Sequence, residues 1–386
     1  MKNKNQIRRA QSCAADAREA VREFHAGVNQ PAMALVIFFC SSKYDLDVLA
    51  AEMKRLFAGV KVVGCTTCGE IGPAGYTTLS LTGASFSSRD FNVVSGQVDG
   101  LQQFEISAGQ DFAKKLLQQL ESEAPQANAD NSFALLLIDG MSIREEPVTR
   151  AFQNALGKIP LVGASAADDI ELRKTYVYSD GRFSSDSAVL VLVTTPLPFK
   201  VFKTQHIVAT DQKMVVTQAD TANRLVKEIN GLPAAQEYAR ILNIKLSELN
   251  AMHFAASPVV VMIDGANYVR SIQQVNPDGS LRFGSAIEEG LVLRMAKGVD
   301  LLKNLEQTFA GLHADIGQFQ IALSFDCGLR KMEIAQLGIE DRVGKVFAQN
   351  NAIGVNTYGE QFNGVHINQT LVGVAIGEDS RELENA

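Results

Sequence analysis

The sequence predicts an α/β protein with mixed sheets built from a repeated β-α-β-β unit, and an antiparallel, hairpin-rich section in its C-terminal half. Two observations carry this. Short apolar runs at residues 34–39, 134–138 and 319–324 each lead, across a helix-compatible stretch, to a glycine segment. Those segments are Val62-Val63-Gly64, Leu161-Val162-Gly163 and Ala352-Ile353-Gly354. A further strand-like run follows each one, at 78–86, 188–194 and 370–376. The first two copies lie about 100 residues apart and the third follows much later, so the pattern is not that of a solenoid.

Taken in order, each element has a local reason. The apolar continuity of the three runs suits strands covered on both faces. In the first gap, Leu46, Leu49, Met53, Leu56 and Phe57 recur at spacings of three and four, which predicts a helix over 46–57. Residues 215–231 read as a polar helix ending at a glycine, and a second helix starts near Pro233. Residues 259–263 form a buried run. Segments 268–275 and 280–287 flank Asn276-Pro277-Asp278-Gly279, a turn signal that predicts a hairpin, and 291–295 is a further strand. A boundary near residue 230 divides the chain into 30–229 and 230–378. No Pro/Ser-rich linker lies there, so the halves are expected to pack closely.

Composition narrows the function. Of 386 residues, 46% are hydrophobic and 20% charged, an ordinary globular balance. Lys and Arg number 36 against 43 Asp and Glu, a net charge of −7, which disfavours nucleic-acid binding. The longest apolar run, residues 33–40, is too short to cross a bilayer, and no apolar segment follows the basic N-terminus as in an export signal. A cytoplasmic protein without membrane contact is the expectation. Five cysteines, Cys13, Cys40, Cys65, Cys68 and Cys327, make an odd count that argues against a disulfide framework.

The glycine segments also carry a resemblance. VVGCTTCGEIGPAG at 62–75, PLVGASAADD at 160–169, EINGLPAAQEYA at 228–239, LSFDCGLRK at 323–331 and GVNTYGEQFNGVHINQT at 354–370 occur in this order. Together they resemble the FIST family, a sensory module of signal transduction with N- and C-terminal parts, over roughly residues 30–377. Around VFKTQHIVATDQKMVVTQAD and INGLPAAQEYAR the chain is similar to the NosP-type members, which bind haem and sense nitric oxide beside sensor histidine kinases. The resemblance implies haem b as cofactor, nitric oxide or another small ligand as signal, and a histidine kinase regulated in trans. A homo-oligomer is compatible with it. The alternative is a FIST sensor of a small polar metabolite, such as an amino acid, without haem.

Candidate site residues follow. A haem sensor needs a neutral axial imidazole whose other nitrogen is fixed by a partner. Of His25, His206, His253, His313 and His366, the choice falls on His206, in TQHIVAT where the halves meet, with His366 of NGVHINQT in reserve. His253 reads as a core or capping residue, and His25 and His313 as exposed. Arg330, read with Cys327 as part of a turn, could hold a haem propionate or make a structural ion pair. Cys65 and Cys68 form a C-x-x-C that is a redox pair, half a zinc site, or simply two small turn residues; residue 69 is Gly, so c-type haem attachment is excluded. Asp168-Asp169, Glu288-Glu289 and the matching Glu70 and Glu360 stand out as carboxylates. They make no catalytic set, because no nucleophile has an assignable base. An enzyme is therefore not expected.

Overall fold

The computed structural model describes residues 6–169, 171–263 and 265–378. Its body is three copies of one unit. Each copy has an edge strand, a helix, a central strand, one or two helices, a glycine strand, a hairpin and a return strand. The central strands are Met33–Ser41, Ser132–Ile138 and Phe319–Cys327; the glycine strands are Lys61–Thr67, Leu161–Ser165 and Ala352–Thr357. Within a copy, glycine and central strands pair in parallel, and the return strand lies antiparallel on the other side. Glycine is required at the repeated position by space. A Cβ on Gly64, Gly163 or Gly354 would stand 2.5, 2.3 or 1.9 Å from a carbonyl oxygen of the adjacent central strand.

The hairpin does not stay in its own copy. Glu70–Gly72 of unit one pairs with the glycine strand of unit three. Glu360–Phe362 of unit three pairs with that of unit two, and Val177–Ser179 of unit two with that of unit one. The exchange is cyclic. Three sheets therefore enclose one core, to which Ile37 and Phe39, Leu135 and Leu137, and Leu323 and Phe325 contribute inward-facing side chains. The outward positions of the same strands, such as Val36, Leu136 and Ala322, meet the helices. Both faces are covered, which is why the runs read as continuous apolar stretches.

The late arrival of the third copy has a structural cause. Between its edge strand Phe199–Thr204 and its helix Leu301–Ile316 an eight-stranded antiparallel sheet is inserted. Its terminal strands, Ala266–Arg270 and Ile272–Val275, are consecutive in the chain, so the sheet nearly closes on itself. It has its own core of Val216, Val226, Tyr238, Phe254, Val259, Phe283 and Leu293.

The expected helix over 215–231 is corrected here. The segment is strand, a short 3-10 turn and strand: Ile207–Asp220, Thr221–Asn223 and Leu225–Ile229. Met214 and Val216 are buried with a period of two, and Val226 and Ile229, three apart across a bulge in the pairing, are buried on the second strand, with polar residues on the solvent side. Asn230 and Gly231, at φ 55° and 76°, form the tight turn into Leu232–Pro233 that the sequence reading took for a helix end. The helix Ala234–Leu242 and the hairpin at Asn276–Gly279 agree with expectation, although Ser271 breaks the first hairpin segment into two strands; Val259–Ile263 is a strand as expected, but only Val259, Val260 and Val261 are buried, while Met262 and Ile263 are exposed.

Candidate functional site

The three copies meet where their glycine strands end. Cys68, Ala167 and Tyr358 hold equivalent places and pack against one another. Their amides close a ring: Cys68 N–H donates to Asn356 O at 3.1 Å, Ala167 to Thr66 O at 2.9 Å, and Tyr358 to Ser165 O at 3.2 Å. Next to this ring, Glu70 and Glu360 are fully buried in matching networks. Glu70 accepts from the Thr67 hydroxyl and from Ser80 N–H and Oγ at 3.2 and 2.7 Å. Glu360 accepts from Thr357 Oγ1 at 2.5 Å and from Thr370 N–H and Oγ1 at 3.2 and 2.7 Å. Burial outweighs these donors, pushing Glu70 up to about 7 and Glu360 up to about 8. Both cap the start of the return strand. In unit two Asp139 does this instead, accepting from Asp186 N–H and the Thr175 hydroxyl.

Only in unit three is the ring residue large, and a cavity opens beside it. Tyr358 lines the cavity together with Leu172, Ser271, Gly284, Leu329 and Met332. The cavity's volume is about 110 Å³ and it is partly open to solvent, so it suits only a small ligand. One wall is the body and the other the inserted sheet. The Tyr358 hydroxyl donates to Asp168, which also accepts three backbone N–H groups, from Leu172, Arg173 and Lys174 at 2.8–2.9 Å. That carboxylate orders the rim loop rather than acting as a base. Asp169 accepts from Ser41 and Ser42, and Glu288 and Glu289 lie on an exposed turn.

Of the residues singled out in the sequence, Cys327 lines this cavity, while His206, His366 and Arg330 stand behind it. Cys327 ends the central strand, and Arg330 sits in the helix Gly328–Gln336, not on a turn. Its Nε donates to Asp326 at 2.6 Å and its Nη1 to His206 Nδ1 at 2.8 Å, both fully buried. His206 Nε2 in turn donates to Glu333 at 2.8 Å, and Tyr76 donates to the other Asp326 oxygen at 2.5 Å. Burial, with the Arg330 charge alongside, holds the His206 imidazole below its ordinary pKa and neutral. His366 is likewise engaged at both nitrogens, by Gln361 at 3.1 Å and by the carbonyl of Gly284 at 3.0 Å. Neither imidazole has a free lone pair in this arrangement. Turning His206 toward an iron atom would leave Arg330 and Glu333 short of a buried partner. In this arrangement neither His206 nor His366 offers a nitrogen to an iron atom, and Arg330 pairs with Asp326.

Cys65 lies in the core and Cys68 on the ring, and burial pushes both thiols up, which makes them poor nucleophiles. Among the described residues no group of three or more His, Cys, Asp or Glu side chains is placed to hold a metal ion. His25 and His313 are half-buried rather than exposed: His25 packs edge-on against Phe57, and His313 stacks on Phe319 at 4.2 Å and bonds Asn350. His253 is half-buried in the short helix Ala251–Ala256. Sequence reasoning missed Tyr358 and Ser271. The signal for Tyr358 was available: an aromatic where the other two copies carry Cys68 and Ala167.

Fold and site together define a three-unit α/β protein with a small-molecule cavity between its repeat centre and an inserted sheet. The chain belongs to the FIST family: the FIST N domain matches residues 34–232 and the FIST C domain residues 234–363. FIST domains are signal-transduction sensor domains for small ligands. An uncharacterized protein of Methanocaldococcus jannaschii is 24% identical over 301 residues, covering 68% of this chain. The chain spans about half the length of that curated relative, 54%. Among solved structures, cyanuric acid hydrolase from A. caulinodans is similar at a TM-score of 0.36 and 9% identity, over 96% of this chain and 99% of that one. Among the described residues no helix is long and apolar enough to cross a membrane.

Proposed function

We propose that this chain is a cytoplasmic sensor that takes a small ligand, without haem, into the cavity beside Tyr358, and passes occupancy to a separate signalling protein, a histidine kinase by resemblance. One observation carries this reading. The helix Gly328–Gln336 presents Leu329 and Met332 to the cavity, while Arg330 and Glu333 of the same helix grip His206. His206 lies between the edge strand of unit three and the inserted sheet. A ligand that shifts this helix therefore shifts the joint between body and insert, which is the differential contact a two-state sensor needs. The test is ligand-observed NMR with a panel of small metabolites on the whole chain and on Met332→Trp, which fills the cavity. Hits lost in the variant support the site; hits indifferent to it overturn the site. For the output, kinase autophosphorylation is expected to change with the ligand-loaded protein, and equal rates across a concentration series count against regulation in trans.

A second reading rests on the resemblance of residues 201–220 to the NosP-type members: haem b held at His206, responding to nitric oxide. It requires the buried chain from Arg330 to Glu333 to open. Purification with haem supplied decides it. A Soret band that shifts with nitric oxide and is lost in His206→Ala favours haem; a colourless protein removes it.

A further inference from the structure

We propose that a second ligand site lies at Lys203, on the flank of the joint between body and insert, and that it takes a small aromatic monocarboxylate. Three sheets end there. The edge strand Phe199–Thr204, the hairpin strand Val365–Ile367 and the insert strand Ala266–Arg270 are each the last strand of their sheet. The corner between them is left as a pocket of about 260 Å³. Phe362, Val365 and Ile367 wall it from the body and Tyr268 from the insert, with Lys203 and Asn363 as its other lining residues. It shares no lining residue with the cavity beside Tyr358.

Lys203 points to an anion. Its ammonium lies 5.1 Å from the centre of the Tyr268 ring and 5.8 Å from that of Phe362. Both rings line the pocket and Lys203 is an exposed residue, so the charge stands at the pocket and not beneath its wall. The ring quadrupoles hold the cation in place without neutralising it. Burial against the rings draws its pKa below the ordinary lysine value, and no carboxylate offsets that pull. Lys200, on the same strand, is paired with Asp315 at 3.1 Å, whereas Lys203 has no ion pair or hydrogen bond among the described residues. The chain has a net charge of −7, so carboxylates are plentiful, yet none is placed here.

The rest of the pocket sets the ligand's class. The Asn363 carboxamide and the Tyr268 hydroxyl make no hydrogen bond among the described residues. One ammonium, one amide and one phenol match a single negative charge. A phosphate site would call for arginine forks or a helix N-terminus, and neither lines this pocket. Two aromatic rings and two branched side chains suit a flat apolar body. An occupant would also touch both sides of the joint. Lys203 lies three residues before His206 on the body's edge strand, and Tyr268 belongs to the insert.

The experiment titrates phenylacetate, phenylacetamide and phenethylamine into the whole chain by calorimetry. Phenylacetate is expected to bind, with an affinity that falls as ionic strength rises. The amide is expected to bind at least about tenfold more weakly and the amine not at all. Lys203→Met keeps the apolar stem and removes the charge. It is expected to weaken phenylacetate at least about tenfold with an unchanged melting temperature. Met332→Trp, which fills the other cavity, is expected to leave phenylacetate binding unchanged. An amide that binds as well as the acid, an affinity indifferent to salt, a silent Lys203→Met, or no binding of any probe overturns the site. Phenylacetate kept by Lys203→Met and lost in Met332→Trp places the acid beside Tyr358: the Lys203 site falls, and the cavity of the proposed function stands.

Discussion

The three-unit body and the inserted sheet are both β-rich, yet they are held by different constraints, and glycine shows the difference. In the body, Gly163 faces a carbonyl oxygen 2.3 Å from where its Cβ would be, so its role is to let two strands close under a layer of helices. In the insert, Gly231 has nothing within 4 Å and is needed only for its φ of 76°. The body is built by packing on both faces; the insert is built by turns and by one buried face. The cavity lies where the two meet. The body supplies one wall, ordered by hydrogen bonds around a ring, and the insert supplies the other.

Four variants break or sharpen this contrast. The largest effect is expected from Arg330→Met, which strands a fully buried Asp326 and removes the donor to His206. A loss of about 3–5 kcal/mol in urea unfolding is expected, as for one partner of a buried pair. A loss below about 1 kcal/mol would mean that the joint between body and insert is not held by this chain of contacts. Gly163→Ala comes next, at about 3 kcal/mol, the upper end of the overpacking range, because the clash is with backbone.

Glu360→Gln tests the buried carboxyls through pH. Glu360 is pushed up to about 8 in the folded protein, so between the ordinary glutamate range and that value the folded state holds a proton that the unfolded state has released. Its contribution to stability is therefore lost as pH rises through this window, at a slope of at most about 1.4 kcal/mol per pH unit, and levels off above it. The glutamine variant is expected to flatten that decline in unfolding experiments from pH 5 to 8; an unchanged slope would show that Glu360 is ionised throughout. The smallest effect is expected from Gly231→Ala, about 1 kcal/mol of backbone strain with no clash, read as a small drop in melting temperature.

How much was legible in the sequence follows the same division. The body was read from apolar continuity and repeated glycines because packing on both faces leaves a strong, local imprint: 34–39, 134–138 and 319–324 all lie in the expected strands. In the insert, one buried face among Thr, Gln and Lys imitates a polar helix, and 215–231 was misread although its Asn-Gly pair marks a hairpin turn. The site divided differently again. His206, His366 and Arg330 were chosen for their chemistry, and they do gather around one place, but as the hydrogen-bonded supports of its walls. Ser271 and Leu172 carry no local signal at all. Their relation to Tyr358 exists only once strands some hundred residues apart have been brought together.

The cyclic exchange of hairpins has a consequence for the birth of the chain. On a ribosome, unit one emerges with its glycine strand uncovered and must wait for Val177–Ser179 before its sheet has a neighbour on that side. The hairpin Glu70–Gly72 waits longer, until Ala352–Thr357 has been synthesised. No copy can be finished alone, and during that interval an unpaired strand edge is open to any passing chain. Chaperone dependence, and inclusion bodies from fragments ended before residue 352, are the expected cost of building one core from three interlocked parts.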